Sequence, residues 1–193
     1  IALAKNMTEL PQHPKYNTSS KKGSANYGRN RLMDTLVNYE LWEQLIGLSD
    51  TVYLSPIDNE DDTIKRTHLL GLAYFNQGRF DEARAQIPPL EEALAKREKA
   101  RDKAIADAVK KAEKEKKSKK DVDKAKGKAR GAARRKVDAV SNALAELRIH
   151  DALSRGDKAA AKKLASKIGS APKIRQARIH LALDDKKKAS ELA

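Results

Sequence analysis

Cysteine is absent from the 193 residues, and aromatic side chains make up only 4% of them. Without cysteine the chain can form neither a disulfide nor a zinc–thiolate site, and it has no thiol nucleophile. Because aromatics are scarce, a core has to consist mainly of leucine, isoleucine, valine and alanine. No apolar run approaches the ~20 residues that a bilayer span requires, so we expect no membrane span.

Charge is abundant and unevenly placed. Charged residues make up 35% of the chain, its mean hydropathy is −0.75, and its formal net charge is +14. Residues 96–136 carry a net charge of +12, whereas residues 1–95 carry −3 and residues 137–193 carry +5. The low hydropathy predicts that some segment is solvated on all sides, and residues 96–136 are the segment concerned.

The two ends of the sequence indicate a piece of a longer protein. The chain begins at Ile1 rather than at a methionine, and it ends at Ala193 inside a helical pattern. A targeting segment is not visible. The sequence therefore leaves the cellular compartment unknown.

The first third of the chain predicts an irregular arm followed by helices. Residues 1–23 contain Pro11, Pro14 and Gly23 among many polar residues, which is typical of irregular structure. We predict a helix from Ser24, a second over 40–54, and a third that opens at the acidic run DNEDD, residues 58–62. Pro56 separates the second helix from the third.

One stretch carries a recognisable pattern, LLGLAYFNQGRFDEARAQI. Its apolar and small residues lie at the spacing of a tetratricopeptide repeat (TPR), and the stretch resembles that family over about one repeat. The positions that match are Leu70, Gly71, Tyr74, Gly78, Phe80, Ala83 and Ile87. The resemblance implies two antiparallel helices, with Tyr74 and Phe80 between them and Gly78 ending the first.

More degenerate copies precede and follow this stretch. In the preceding copy, Trp42 and Leu45 align with Phe80 and Ala83, and Glu40 replaces Gly78. Two later copies repeat the five-residue spacing of Gly78 and Ala83. They are Gly156 with Ala161, and Asp184 with Ala189. We therefore expect an all-α fold built from TPR-like helix pairs, an α-solenoid.

Between the LLGLAYF stretch and the two later copies, residues 90–150 predict a long antiparallel coiled-coil hairpin with its turn near Ser118. Apolar residues recur every three or four positions on both limbs. One register pairs residue 105 with 132 and residue 94 with 144. Glycine inside a helix costs about 1 kcal/mol relative to alanine, so we expect Gly127 and Gly131 to admit Val109 and Ile105 at close helix spacing. The alternative is that a charged helix merely tolerates both glycines. The predicted organisation is an arm at 1–23, two helix pairs at 24–89, the hairpin at 90–150 and further short helices at 151–193.

The TPR resemblance places a peptide groove on the first helix of each pair. By position, it falls on mixed polar side chains that suit a peptide backbone or a carboxylate. The alternative is an ordinary solvated helix face. The groove positions are Tyr27, Asn30, Arg31, Asp34, Asn38, Lys65, His68, Leu69, Leu72 and Asn76.

The return limb of the hairpin is a candidate contact for a polyanion. Its run of cations without an acid creates a positive field that attracts nucleic acid or another anionic surface, in a salt-dependent way. No aromatic residue is interleaved for base stacking, so a solvated coiled-coil face is the competing interpretation. The cations are Lys124, Lys126, Lys128, Arg130, Arg134, Arg135 and Lys136.

Two further features, the N-terminal loop and the four histidines, have to be weighed as binding sites. The loop QHPKYNTSSKKGSANYGRNR places His13, Tyr16, Asn17, Lys21, Lys22 and Arg29 near a helix start, where an anion could bind. The competing interpretation is an arm that seals the first helix pair. The histidines at 13, 68, 150 and 180 lack metal-ligand spacing, so we expect no cofactor, no metal and no enzymatic activity.

A broader resemblance covers most of the chain. The run LPQHPKYNT…GSANYGRNRLMDTLVNYELWEQLIGLSDTVYLSP, followed by LLGLAYF and a charged hairpin, resembles helical regions of large planctomycete proteins. Those regions are associated with thioredoxin-fold (redoxin) modules. The resemblance implies a helical spacer in an exported multidomain protein whose redox chemistry lies elsewhere.

These observations predict a non-catalytic helical-repeat scaffold for protein–protein or interdomain contact. The first alternative is polyanion binding through the basic hairpin, and the second is the redoxin-associated spacer. The sequence does not identify the partner.

Overall fold

A computed structural model describes residues 1–21, 23–169 and 171–193. Within those ranges the chain forms α-helices and one short 3-10 helix, with no β-strand, so the all-α prediction is confirmed. The α-helices are α1 (Ala2–Glu9), α2 (Ser24–Asn38), α3 (Trp42–Leu48), α4 (Glu60–Asn76), α5 (Phe80–Arg84), α6 (Ile87–Lys114), α7 (Lys119–Ser154), α8 (Lys158–Leu164), α9 (Lys173–Ala182) and α10 (Lys186–Leu192); the 3-10 helix spans Ala165–Lys167.

The chain divides into two compact units. Unit 1 consists of residues 1–87 and 150–157, and unit 2 consists of residues 88–149 and 158–193. Helix α7 therefore contributes most of its length to unit 2 and its last turn to unit 1. The net charge is −2 for unit 1 and +16 for unit 2, so nearly all of the basicity lies in unit 2.

The same turn ends four helices that are each followed by a short helix. At each turn one residue has a positive φ, and the next N–H donates to the carbonyl five residues earlier, the Schellman geometry. The positive-φ residues are Glu40, Gly78, Gly156 and Asp184. The corresponding bonds are Leu41 to Leu36 (2.8 Å), Arg79 to Tyr74 (2.9 Å), Asp157 to Ala152 (2.8 Å) and Asp185 to His180 (2.9 Å). All four positions are those that the sequence aligned with Gly78.

A buried residue follows each of these turns by five positions, as the sequence alignment expects. The four residues are Leu45, Ala83, Ala161 and Ala189. Three of them are alanines, and a side chain of that size lets the short helix lie close to its neighbours. The same turn and the same buried position therefore occur together at four places in the described chain.

The N-terminal segment of unit 1 is more regular than its prolines indicate. Residues 2–9 form α1, and Pro11 and Pro14 lie beyond its end. Helix α1 packs on α2 at Gly28, where an added Cβ would lie 2.6 Å from the Ala4 carbonyl oxygen and 2.7 Å from Met7 Cβ. Hence only glycine permits this approach of the two helices.

Helix α4 begins where the acidic run predicts. The Asn59 side chain accepts a hydrogen bond from the Asp62 N–H at 3.1 Å, which caps the first turn. At the other end, Phe75 is buried, whereas Tyr74 is half-buried with Arg79 over its ring, and Phe80 is 40% exposed. Phe75 therefore fills the space that the sequence assigned to Tyr74, and it also stacks on His150.

In unit 2, α6 and α7 run antiparallel and contact each other at several positions. A four-residue connection joins them at 115–118, close to the predicted turn at Ser118. Arg148 pairs with Glu91 at 2.6 Å, and Arg97 Nη1 donates to the Lys136 carbonyl at 2.8 Å. Partner numbers on α7 fall as those on α6 rise, which establishes the antiparallel direction.

The predicted role of Gly127 and Gly131 in this interface is wrong. An added Cβ at either glycine would have no atom within 4 Å, so both face open space. The residues that turn towards α6 include Ala125 and Ala129, which are half-buried. Since a position two residues away lies on the opposite side of a helix, Gly127 faces away from the partner.

The C-terminal helices of unit 2 are held to α7 by a buried ion pair. Arg175 of α9 donates through Nε to Glu146 Oε1 of α7 at 2.9 Å. The Glu146 side chain is 3% exposed and the Arg175 side chain is 15% exposed. A charged pair removed from water in this way needs both members, because either one alone would be an uncompensated buried charge.

Candidate functional site

The protein has two candidate surfaces, the predicted groove in unit 1 and the basic helix α7 in unit 2. The groove depends on how α2 and α4 face each other. Lys65 of α4 donates to Asp34 Oδ1 at 2.9 Å and to Asn30 Oδ1 at 3.4 Å on α2. These three predicted residues form one partly exposed polar cluster.

The remaining groove positions divide by exposure. Arg31 lies over the Tyr27 ring at 4.9 Å, and both side chains are exposed on the same face of α2. Asn38 is exposed and His68 is half-buried. Asn76 is exposed and donates to the carbonyl of Leu72 in its own helix.

Two predicted groove residues belong to the core. Leu69 is 6% exposed and Leu72 is 1% exposed. A side chain so completely covered cannot contact a peptide that approaches from solvent. The open part of the predicted groove therefore reduces to polar side chains, several of which already bind one another.

A buried pair beneath this face fixes α2 against α4. Arg29 donates through Nε and Nη2 to the two carboxylate oxygens of Asp62, at 3.0 and 2.8 Å. The Arg29 side chain is 1% exposed and that of Asp62 is 8% exposed. Arg29 also donates to the Tyr53 and Leu54 carbonyls, which holds the connection between α3 and α4. This two-point pairing uses the planar guanidinium in its most favourable geometry.

The N-terminal loop is closed by its own hydrogen bonds. Asn17 Oδ1 accepts from the Ala25 N–H at 2.8 Å, and Asn17 Nδ2 donates to the Pro11 carbonyl at 2.9 Å. His13 stacks on Tyr16, and Lys21 is exposed. Arg29 is committed to Asp62, and Lys22 lies outside the described residues. The contacts thus favour the sealing arm over an anion site.

In unit 2, every cation of the predicted polyanion contact is exposed. Within the described ranges, Arg134 alone among them has an ion-pair partner within 4 Å, Asp138 at 3.1 Å. The exposed set comprises Lys124, Lys126, Lys128, Arg130, Arg134, Arg135 and Lys136. Residues 124–136 of α7 therefore present a positive surface in which Arg134 is the one cation paired with an acid among the described residues.

A cleft lies between α6 and α7 at the edge of this surface. Its volume is about 470 Å³, within the range of small ligand pockets. Helix α6 contributes Arg101, Asp102 and Ile105, and α7 contributes Arg130, Arg134, Val137 and Asp138. Sequence reasoning missed this site, although the predicted register already brought residues 101–105 opposite 132–136.

One of the three guanidinium groups that line the cleft, that of Arg130, is not part of an ion pair among the described residues. Arg101 Nε donates to Asp102 Oδ1 at 2.8 Å, and this bond holds the pKa of Asp102 below its usual value. The positive charge of Arg130 adds to that lowering. Arg134 is paired with Asp138, whereas Arg130 has no ion-pair partner within 4 Å in the parts of the chain described. The three arginines and two aspartates that line the cleft have a net charge of +1, and Glu98 lies beside them, 3.8 Å from Arg101.

The described residues form neither a metal-binding cluster nor a membrane-spanning helix. No group of three or more histidine, aspartate or glutamate side chains is arranged to hold a metal ion. No described helix combines the length and the apolar composition that crossing a membrane requires.

Comparison with known proteins adds no relative to this picture. No family model, no curated protein and no solved structure matches the chain. The TPR resemblance and the resemblance to redoxin-associated helical regions both remain predictions.

Proposed function

We propose that this protein is a non-catalytic helical scaffold that binds another protein or another domain of its parent chain. The observation that carries the proposal is the helix pair with one repeated turn, at Glu40, Gly78, Gly156 and Asp184. Stacked helix pairs contact mainly their neighbours and create extended surfaces for partners. On this proposal the pairs are TPR-like, and α6 with α7 is a coiled-coil hairpin.

A peptide selection tests the scaffold function directly. A random peptide library is selected on the immobilised intact chain and, in parallel, on heat-unfolded chain. We expect peptides that are enriched on the folded chain alone and bind it saturably in fluorescence anisotropy. Failure to enrich any peptide, or equal binding to the unfolded chain, contradicts the function.

Polyanion binding is a second candidate, favoured by the exposure of the α7 cations. Lys124, Lys128 and Arg135 share one face of α7, since they are separated by four and seven residues. Replacing all three by glutamate should abolish binding of a labelled DNA duplex at low salt. In the unsubstituted chain, log K should fall linearly with log salt concentration, and each phosphate contact should contribute about one unit of slope. Binding that is indifferent to salt or to these substitutions excludes this candidate.

A further inference from the structure

The cleft between α6 and α7 has a floor and a rim of different chemistry. Val137 is buried and Ile105 is half-buried, so the floor is aliphatic. The rim carries guanidinium groups, with Arg101 at 29% and Arg134 at 77% side-chain exposure. A ligand that fits both needs an apolar group directly beside an anionic one.

The charge of the cleft limits how many negative charges such a ligand can bring. Arg101 is paired with Asp102 and with Glu98, and Arg134 is paired with Asp138, which leaves Arg130 as the one cleft-lining cation without an ion-pair partner within 4 Å among the described residues. A phosphodiester strand would place several charges beside these carboxylates, and like charges at short distance repel. A single carboxylate would meet Arg130 in the two-point geometry that arginine favours.

We propose that this cleft is a docking site for an acidic–aliphatic segment of a partner protein, which inserts an aliphatic side chain between α6 and α7 and binds a neighbouring carboxylate with Arg130. The proposal rests on the scaffold function and names the kind of partner that the scaffold recognises. Arginine at the edge of an apolar pocket is typical of the few residues that dominate a protein interface. The net charge of +16 on unit 2 also attracts an acidic partner during encounter.

The test compares two charge reversals on one helix. Arg130→Glu reverses the cation of the cleft, and Lys128→Glu makes the same charge change at an exposed position that does not line it. Neither residue has an ion-pair partner within the described ranges, so both variants should retain the helical circular-dichroism spectrum of the parent chain. Peptides enriched on the intact chain are sequenced and then titrated against both variants and against Arg130→Lys.

We expect the enriched peptides to contain an aspartate or glutamate next to leucine, isoleucine or valine. Arg130→Glu should weaken their binding by at least about tenfold, as for the loss of a charged hydrogen bond. Arg130→Lys should weaken it by less, and Lys128→Glu should change it by no more than about threefold, the size of a screened long-range effect.

Three results would overturn the proposal for the cleft, and they differ in whether the scaffold function survives. Enriched peptides that bind Arg130→Glu as well as the parent chain reject the cleft but leave the scaffold function. An unlabelled DNA duplex that displaces the peptide, and itself requires Arg130, assigns the cleft to phosphodiesters instead. The absence of any enriched peptide contradicts the scaffold function and the cleft together.

Discussion

Unit 1 and unit 2 contain the same turn between helices, but they differ in net charge and in how exposed their charged side chains are. In unit 1 the charges nearly cancel, and its principal pair, Arg29 with Asp62, is buried. In unit 2 the net charge is +16, and the cations at 124–136 of α7 are exposed. Both units contain a buried pair that joins helices, because Arg175 with Glu146 does in unit 2 what Arg29 with Asp62 does in unit 1. The difference between the units lies in the exposed cations of unit 2.

The largest effect should follow from removing one member of the buried pair. Arg29→Ala leaves the Asp62 carboxylate buried without its cation, which should destabilise the fold by about 3–5 kcal/mol. Lys65→Ala, at the exposed pair with Asp34, should cost about 0–1 kcal/mol. Chemical denaturation measures both free energies of unfolding. Equal losses for the two variants would show that burial does not distinguish these pairs.

A glycine substitution in unit 1 should have the next largest effect. In Gly28→Ala the new Cβ would collide with the Ala4 carbonyl and with Met7, so α1 has to shift away from α2. Overpacking of this kind typically costs about 1–3 kcal/mol. Thermal unfolding followed at 222 nm gives the change, and an unchanged or higher midpoint would reject the close contact of α1 with α2.

The same substitution in unit 2 should have the opposite sign. Gly127→Ala and Gly131→Ala place a methyl group in open space on an exposed helix, so each should stabilise α7 by about 0.4–1 kcal/mol. Gly28→Ala and Gly131→Ala make the same chemical change, so any difference in their effect on stability comes from the surroundings of the two glycines. If Gly131→Ala destabilised the protein, Gly131 would have to pack against α6 after all, as the sequence predicted.

The smallest effect concerns the start of α10 in unit 2. The Asp185 side chain accepts from the Lys188 N–H, and this bond, followed by His180, holds the pKa of Asp185 below its usual value. Since the folded pKa is lowered, the stabilisation exists above about pH 4, the unfolded value, and disappears as pH falls through the folded pKa.

The resonance of the Lys188 amide should therefore move as the pH is lowered through that range. Asp185→Asn, which caps without a titrating group, should keep the helix start at all pH values. The same titration in the asparagine variant would then be flat, and a persistent shift would assign the pH dependence to another group.

The sequence predicted the turns well because each depends on local chemistry. Gly78 and Gly156 adopt the positive φ that glycine tolerates, and spacing alone extended the prediction to Glu40 and Asp184. Helix α4 likewise begins at its acidic run. Local signals of this kind do not depend on how helices rotate against each other.

The predictions that failed all concern the direction in which a side chain points from its helix axis. A difference of one residue turns a side chain by about 100°, which exchanges the roles of Tyr74 and Phe75. A difference of two residues separates Gly127 from the inward face that Ala125 and Ala129 occupy. The cleft was missed for the same reason, because it requires knowing which of the arginines on α6 and α7 converge.

The arginine side-chain Nε–Hε resonances test the central claim, that partner binding belongs to the cleft of unit 2, most directly. An enriched acidic–aliphatic peptide is titrated into the ¹⁵N-labelled intact chain. The account predicts saturable shifts of the Arg101, Arg130 and Arg134 signals, with Arg31 of unit 1 unchanged. Saturable shifts of Arg31 with the cleft arginines unmoved would contradict it.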